Sequence, residues 1–243
     1  MTKHRSRLRF VLEGLEGLVV LPAFLLTWPV SKRWLDNWGS LPAERARIWP
    51  GDRLVAGQQK TYVRAIVIAA PAARVWRWVV QFGLGRAGFY SYELLERLVG
   101  IPVTNVENIE ARLQSLTVAD EILLHPKAPG IPVREIEEPR RICFGGEAAG
   151  ASTAASPDPT RSWSIYIEPT DEASCRLVLR GCLEPLRDRS LAKRFGRALE
   201  SPIDFVMEQR MLRTIKRLAE RERSSPMQNE DVNKNQDESH RAT

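Results

Sequence analysis

The sequence predicts an α+β fold: one strand, two short helices, a run of antiparallel strands and a long C-terminal helix. Segments between residues 119 and 183 alternate polar and apolar side chains, as half-buried antiparallel strands do. Before and after that region, apolar residues recur at helical spacing. With 243 residues, 43% of them hydrophobic, the chain can bury one substantial core.

The first part of the folded region predicts a strand and two helices. Residues 61–71, TYVRAIVIAAP, are rich in β-branched and aromatic side chains and end at a proline, which is typical of a strand. The next helix has apolar residues at helical spacing, namely Ala72, Val75, Trp76, Val79 and Val80. The segment YSYELLERLVG repeats that spacing and ends at Gly100, a residue suited to a helix C-terminus.

The downstream segments predict strands with one apolar face, followed by an amphipathic helix. The apolar strand positions are Trp163, Ile165, Ile167, Leu177 and Leu179. Arg176 and Arg180 alternate with the two leucines, so we expect them to face solvent. The helix runs from about Pro202 to Arg223, and its apolar stripe consists of Ile203, Val206, Met207, Met211, Ile215 and Leu218. Its basic residues, Arg210, Arg213, Lys216, Arg217 and Arg221, are expected to be solvated.

Composition excludes several classes of function. The formal net charge is +6, but residues 1–35 alone hold six basic and two acidic side chains, and no nucleic-acid-binding pattern accompanies the remaining excess. We therefore expect no nucleic-acid partner. The three cysteines have no C-x-x-C spacing, and the three histidines are scattered. These observations argue against a disulfide framework, a metal site and any cofactor that needs one, so we expect buried, reduced thiols and no cofactor.

The two ends of the chain differ from its centre. Residues 1–40 form a basic and apolar segment whose uninterrupted apolar run, Gly17–Val30, contains Pro22 and is short for a full membrane span. Trp28 and Trp34 could anchor an interfacial helix, and a helix packed on the domain is the third alternative. The protein is thus expected to be membrane-associated or cytoplasmic. Residues 224–243 form a polar tail with the composition of disorder, and residues 146–160 read as a long loop.

Gly83, Gly85 and Gly88 match the G-x-G-x-x-G spacing of dinucleotide-binding loops. Such a loop needs a buried parallel strand before the first glycine. Here the preceding residues have helical spacing, and bulky Phe89 and Tyr90 follow the third glycine. We therefore interpret the glycines as a tight connection between two helices, in which positive φ angles are inexpensive.

Three segments resemble the START/Bet v 1-like superfamily, also called SRPBCC: GDRLV (residues 51–55), residues 61–100 and PIDFVMEQRMLRTIKRLAER. The resemblance is to a bacterial branch labelled polyketide cyclase/dehydrase-like. It covers roughly residues 48–222, and we place the domain at residues 45–223. The resemblance implies a helix-grip fold, in which a curved antiparallel sheet wraps around the C-terminal helix and a hydrophobic cavity lies between them.

The resemblance and the residue pattern together suggest candidate ligand-binding residues. They are Arg86, Tyr90, Tyr92, Trp163, Ile165, Leu177, Leu179, Met207 and Met211. Ordinary core packing is an equally open interpretation of the apolar members. Arg86 could hold an anionic ligand group or pair with Glu93 or Glu96.

The first functional hypothesis is binding of a hydrophobic or lipid-like molecule in that cavity, at or away from a membrane surface. The alternative is a polyketide cyclase/dehydrase-like enzyme that moves protons in the cavity. Its acid or base is not identified by the sequence, since Glu93, Glu96, Asp120, Glu121 and His125 could all face solvent. A membrane-linked interaction protein with a filled core is the third hypothesis, and whether the protein is an enzyme stays open.

Overall fold

The structure is a computed structural model that describes residues 7–57, 59–118, 120–146, 159–185 and 190–221. Within its helices, the side chains of residues 7–9, 28, 29, 191–195 and 197–200 lie outside that description. The elements are α1 (Arg7–Asp36), α2 (Pro42–Ala46), β1 (Lys60–Ile68), α3 (Ala72–Val79), α4 (Glu93–Leu98), β2 (Glu121–Ile122), β3 (Ile131–Glu137), β4 (Arg141–Gly145), β5 (Arg161–Pro169), β6 (Cys175–Leu183) and α5 (Leu191–Arg221).

The six strands form one open antiparallel sheet in the order β1-β6-β5-β4-β3-β2. One face of the sheet, here called the inner face, packs against α3 and α5. Its cross-strand rows join Tyr62 to Gly181 and Trp163, and Arg64 to Leu179 and Ile165. This arrangement is a helix-grip fold, so the predicted fold class is confirmed, including the two short helices after the first strand.

The opposite, outer face of the sheet is also covered, and this corrects the sequence-based expectation for two arginines. The segment from Pro42 to Leu54 lies over it and buries Trp49 against Tyr166. Arg180 donates to both carboxylate oxygens of Asp52 at 2.7 and 2.8 Å, and Arg176 pairs with Glu44. Both arginines therefore point away from the inner face as predicted, but they are covered rather than exposed to solvent.

Helix α5 is longer than the sequence suggests, because it begins at Leu191 and contains Pro202. Most of the predicted apolar stripe is buried, namely Val206, Met211, Ile215 and Leu218. Ile203 is 41% exposed and lies off the stripe. Arg210 is another correction: its side chain is 16% exposed, and it pairs with Glu13 and Glu16 of α1 instead of facing solvent.

Helix α1 packs along α4 and α5. Its window from Phe10 to Thr27 has a mean hydropathy of 1.8, long and apolar enough to cross a membrane by length and composition alone. The structure thus supports the packed-helix alternative and leaves membrane contact as a proposal. The side chain of Trp28, most of the loop at 146–160 and the polar tail at 224–243 lie outside the described residues.

The glycine segment forms the tight connection that the sequence predicts. Helix α3 ends just before it, and Gly83 and Gly88 close the turn through an isolated antiparallel bridge. Gly83, Gly85 and Gly88 all have positive φ, and so does Tyr90, at 56°. A helix, not a parallel strand, leads into the glycines, so the loop lacks the setting of a dinucleotide cradle.

Candidate ligand site between the sheet and the C-terminal helix

A carboxylate of α5 lies against the inner face of the sheet and is held there by three donors. Arg64 of β1 forms an ion pair with Glu208, with 2.5 Å between Nη1 and Oε2. The Tyr62 hydroxyl donates to Oε1 of Glu208 at 2.7 Å, and the Trp163 indole donates to the same oxygen at 3.0 Å. Strands β1 and β5 and helix α5 therefore meet at one polar cluster, which we call the Glu208 cluster.

Strand alternation and one glycine bring this cluster together. Tyr62 and Arg64 are two residues apart on β1, so both point to the inner face. Gly181 of β6 lies between Tyr62 and Trp163 in the cross-strand row. A Cβ atom on Gly181 would overlap the Tyr62 ring, so the glycine leaves the space in which the tyrosine reaches across to α5.

The charges of the cluster are set by burial and pairing. The Arg64 side chain is 1% exposed, and burial alone would lower its pKa, but the Glu208 carboxylate outweighs that cost and the pKa is raised. Burial, and then the charge of Glu208, raise the pKa of Tyr62 well above its ordinary value. Arg64 therefore stays charged and Tyr62 stays a neutral hydrogen-bond donor over the ordinary pH range.

Arg64 also connects the cluster to the N-terminal helix. Its Nε donates to the backbone carbonyl of Leu35, in the last turn of α1, at 3.0 Å. The guanidinium also lies over the rings of Tyr62 and Phe205. One buried cation thus joins α1, β1 and α5, and it satisfies a carbonyl that the helix end would leave unpaired.

Aromatic side chains surround the apolar side of the cluster. Trp163 stacks on Phe144 with 5.4 Å between ring centroids, and it also contacts Phe82 at 5.4 Å. Phe82 in turn contacts Phe89 at 5.3 Å. These four rings, here called the aromatic wall, belong to the buried core of the inner face and lie beside the polar Glu208 cluster. Sites for amphiphilic small molecules combine such an apolar lining with a few polar groups.

Five of the predicted ligand-binding residues belong to this core, and Trp163 among them is also a ring of the wall. Trp163 is partly buried, and the others, Ile165, Leu177, Leu179 and Met211, are fully buried in the same hydrophobic cluster. The structure therefore brings these five side chains together on the inner face. Ligand contact by them stays a prediction.

Met207 and Tyr92 lie elsewhere, in a second cluster formed with α1. Met207 packs against the cluster of Leu35, Tyr92, Leu95, Phe205 and Val206 and not against the core on the inner face of the sheet. The Tyr92 hydroxyl donates to Oε1 of Glu16 at 3.1 Å, and the Arg210 guanidinium lies over its ring. Burial and the Glu16 charge raise the pKa of Tyr92 to about 12. These two residues connect α1 to the domain.

Arg86 and Tyr90 stabilise the glycine turn. The Arg86 guanidinium donates to the backbone carbonyls of Val80 at 3.1 Å and Leu113 at 2.9 Å, and not to Glu93 or Glu96, which was one of the two alternatives for this residue. The physical reason is that three backbone carbonyl oxygens lie within its reach, that of Val80 next to the turn and those of Leu113 and Ser115 in a later segment of the chain.

Tyr90 is fully buried. Its hydroxyl accepts from Gln81 at 2.8 Å and donates to the Trp78 carbonyl at 3.1 Å. The Tyr90 phenol therefore has both a donor and an acceptor partner, while the Arg86 guanidinium makes its bonds through Nη2 and its buried Nε has no hydrogen-bond partner among the described residues.

The acids considered in the sequence also have structural partners. Glu93 and Glu96 are buried, contrary to the expectation that they could face solvent. Glu93 accepts from the backbone of Asn105, and Glu96 accepts from the Ser91 hydroxyl, while burial raises the pKa of Glu96. Asp120 and Glu121 are exposed. Over the described ranges, no group of three His, Cys, Asp or Glu side chains could hold a metal ion.

The sequence reasoning missed Tyr62, Arg64 and Glu208. A signal was present: Arg64 interrupts an otherwise apolar alternation in β1, at a position that must face the same side as Ile66. Glu208 lies three residues before Met211 and four before Leu212, so it belongs to the buried stripe of α5. Two opposite charges at inward-facing positions indicate a buried pair.

A separate depression of about 410 Å³ lies at the surface, where it is lined by Arg97, Gly100, Pro102 and Pro126. None of the predicted site residues lines it. It is open to solvent and has few polar groups, so it offers little to fix the orientation of a ligand.

Comparisons with known proteins identify no family. No protein-family model and no curated protein matches the chain. Solved structures similar to it include a protein from Nitrosomonas europaea, with 14% identity and a TM-score of 0.38, covering 68% of this chain and 97% of that one.

A protein from Thermobifida fusca has 19% identity and a TM-score of 0.39, covering 66% of this chain and 93% of that one. A protein from Corynebacterium glutamicum described as Polyketide_cyc-like has 16% identity and a TM-score of 0.32, covering 69% and 95%. At these TM-scores the likeness carries no argument about function, and the fold rests on the strand order and register above.

Proposed function

We propose that the protein binds a hydrophobic, lipid-like molecule between the inner face of the sheet and α5. The observation that carries the proposal is the pairing of an aromatic wall with the carboxylate of Glu208 as the polar anchor. An amphiphile could lay its chain along Trp163, Phe144 and Phe82 and present its head to Glu208. Such sites combine large apolar contact with a few oriented polar groups.

The anchor predicts the chemistry of the head group. An ionised carboxylate has about four acceptor positions, and three donors from the described residues occupy Glu208. The remaining position would accept from a hydroxyl or an ammonium group. A ligand carboxylate would meet the like charge of Glu208, while Arg64 is already engaged by Glu208 and Leu35.

Three amphiphiles with the same chain and different heads test this proposal: decanol, decylamine and decanoate, titrated into the full-length protein by calorimetry. We expect decylamine and decanol to bind and decanoate to bind at least about tenfold more weakly, a difference of about 1.4 kcal/mol. The order measured on the wild-type protein tests the anchor without any substitution. Equal affinities, or no binding of any of the three, would overturn the proposal.

Two tryptophan variants test whether the aromatic wall contributes to ligand binding. W163L removes the ring at the Glu208 cluster, whereas W34L removes a ring of α1 that is 52% exposed. We expect W163L to weaken all the binding ligands by a similar factor and W34L to leave their affinities unchanged. If W34L had the larger effect, the amphiphiles would be binding α1 instead.

A proton-transferring enzyme is the second candidate, and the observation that favours it is the acid beside an apolar wall. Glu208 would act as the base and the neutral Tyr62 phenol as a donor to a developing oxyanion. Deuterium exchange at the central carbon of acetylacetone, followed by NMR, tests this without knowledge of the natural substrate. Exchange above the buffer rate that is lost in E208Q, while circular dichroism shows that the variant is still folded, supports the enzyme, and exchange by the wild type at the buffer rate rejects it.

A further inference from the structure

Helix α1 is apolar on two opposite sides, and only one side is covered by the domain. The covered side places Gly14 against Leu94 and Gly17 against Tyr92 and Leu95, with no room for larger side chains. The other side exposes seven large apolar residues, between 45% and 94% of whose surface is accessible. They are Val11, Leu12, Leu15, Leu18, Val19, Leu26 and Val30, here called the α1 outer face.

The outer face is not what an ordinary surface helix presents. A helix packed on a soluble domain carries polar residues on the side away from the core, and one that is apolar all round is buried or meets lipid. From Val11 to Val30 the face is about 30 Å long. Contiguous exposed apolar surface of this extent marks an interaction site.

The charges around the outer face match an anionic lipid surface. The sequence has no charged residue from Gly17 to Val30, while Lys3, Arg5, Arg7 and Arg9 precede the apolar run. Lys32, which pairs with Asp36, and Arg33 follow it, both exposed, next to the half-exposed ring of Trp34. Basic residues and an aromatic ring at the ends of an apolar face are the features of a helix at the headgroup boundary.

Two acidic residues of α1, Glu13 and the half-exposed Glu16, have partners on the domain, and the third, Asp36, pairs with Lys32 of the same helix. Arg210 of α5 lies 2.7 Å from Glu13 and 3.3 Å from Glu16, and the Tyr92 hydroxyl also donates to Glu16. The two carboxylates therefore have cationic or hydrogen-bonding partners on the covered side. Arg210 thus offsets part of the negative charge of the two glutamates on the covered side of the helix.

The packing also decides how α1 would meet a bilayer. Contacts with the domain run from Gly14 through Phe24, whose ring meets Phe205 at 4.9 Å, to the Leu35 carbonyl bound by Arg64. A helix that crossed the bilayer would have to leave these partners or carry Arg210 into the hydrocarbon, which is costly for a charged side chain. A helix lying in the plane of the surface keeps every contact.

We propose that α1 docks the protein on an anionic phospholipid surface, with the helix in the membrane plane and the outer face toward the acyl chains. This proposal is independent of the ligand site. The domain would remain on the aqueous side, with α5 behind α1.

Flotation of the full-length protein with phosphatidylcholine vesicles, with or without phosphatidylglycerol, tests the docking. We expect binding to the anionic vesicles and a loss of at least about tenfold in L15E/V19E, which places two charges on the outer face. The control I48E/V99E adds the same charges at exposed apolar residues outside α1, and it should bind as the wild type does. Circular dichroism confirms that both variants are folded.

Failure of the wild type to float with either vesicle would overturn the proposal, and so would equal losses in the two double variants. Size-exclusion chromatography with light scattering tests whether a second copy of the chain packs on the α1 outer face. A dimer that L15E/V19E dissociates, together with no vesicle binding, would assign the outer face to a second copy of the chain instead.

Thiol labelling separates in-plane docking from spanning. Cys143, Cys175 and Cys182 are buried, so a membrane-impermeant maleimide reports on cysteines introduced at Ser6 or Ser40, on either side of α1. With protein bound to the outside of vesicles, both positions should label without detergent. Labelling of only one position until detergent is added would contradict the in-plane orientation.

Discussion

Arg64 and Glu208 form an ion pair of 2.5 Å between the first strand and the last helix, with side chains 1% and 12% exposed. Because the pair lies at the junction of β1 and α5, it connects the sheet to the helix that the sheet surrounds. The same arginine binds the carbonyl of Leu35, so the N-terminal helix depends on it as well.

Removing the acid of this pair should destabilise the protein strongly. E208Q leaves the Arg64 guanidinium buried without its counter-ion, and we expect the free energy of unfolding to fall by about 3–5 kcal/mol in urea denaturation. The matched control is E168Q, which removes the partner of Arg47 in an exposed pair and should cost less than about 1 kcal/mol. Similar losses in the two variants would show that the buried pair contributes no more to the free energy of unfolding than the exposed pair does.

The space left by Gly181 should be required by Tyr62. In G181A the added methyl overlaps the Tyr62 ring, and we expect a loss of about 1–3 kcal/mol in the free energy of unfolding. Gly196 lies in α5 with open space around its Cα, so G196A should stabilise the helix by up to about 1 kcal/mol. If G181A were as stable as the wild type, the Tyr62 ring would not pack as closely on Gly181 as it does in the structure.

The ion pair of Asp52 and Arg180, on the outer face of the sheet, should make the stability of the protein depend on pH in a defined direction. Burial would raise the pKa of Asp52, but hydrogen bonds from Arg180 and Cys182 outweigh it and the pKa lies below the ordinary 3.8. The stability that Asp52 contributes is therefore fully present above pH 3.8 and is lost as the pH falls through the lower pKa of the folded state.

Urea denaturation of wild type and D52N at a series of pH values checks this dependence. The stability difference should be constant near neutral pH and shrink in strong acid. A difference that grew on acidification would contradict the assigned direction of the shift.

Asn105 should hold the turn that contains the left-handed Tyr90. Its side-chain oxygen accepts from the backbone of Phe89 at 3.0 Å and of Tyr90 at 2.7 Å. In N105A these buried donors lose their partner, and we expect a loss of about 1–3 kcal/mol and faster hydrogen exchange at both amides. N37A, which removes an exposed amide bonded to Arg33, should change neither quantity appreciably.

The local patterns predicted most of the inner face. Strand alternation placed Trp163, Ile165, Leu177 and Leu179 on one side, and the three glycines between two helical patterns indicated a turn, because both depend on neighbours within a few residues. The covering of Arg180 could not be predicted in this way. Asp52 is 128 residues away in the chain, and no periodic pattern in either segment indicates that the two residues are in contact.

Helix α5 illustrates the same limit. Met207 and Met211 are one turn apart and were expected to face the sheet together, but α5 lies between the sheet and α1, and each methionine packs on a different neighbour. The position of Arg210 in the sequence is typical of a solvated residue, but in the structure it pairs with Glu13 and Glu16 of α1. A helical stripe shows which residues can be buried, while the number of packing partners decides which are.

Native mass spectrometry of the full-length protein tests for a ligand between the sheet and α5. The protein is extracted gently from its own host, and the lipids that it releases are then analysed. We predict a stoichiometric amphiphile with a hydroxyl or amine head, retained by L15E/V19E and reduced in W163L. A protein that emerges empty and stays empty with decanol and decylamine, or whose lipid is lost with L15E/V19E and kept with W163L, would contradict it.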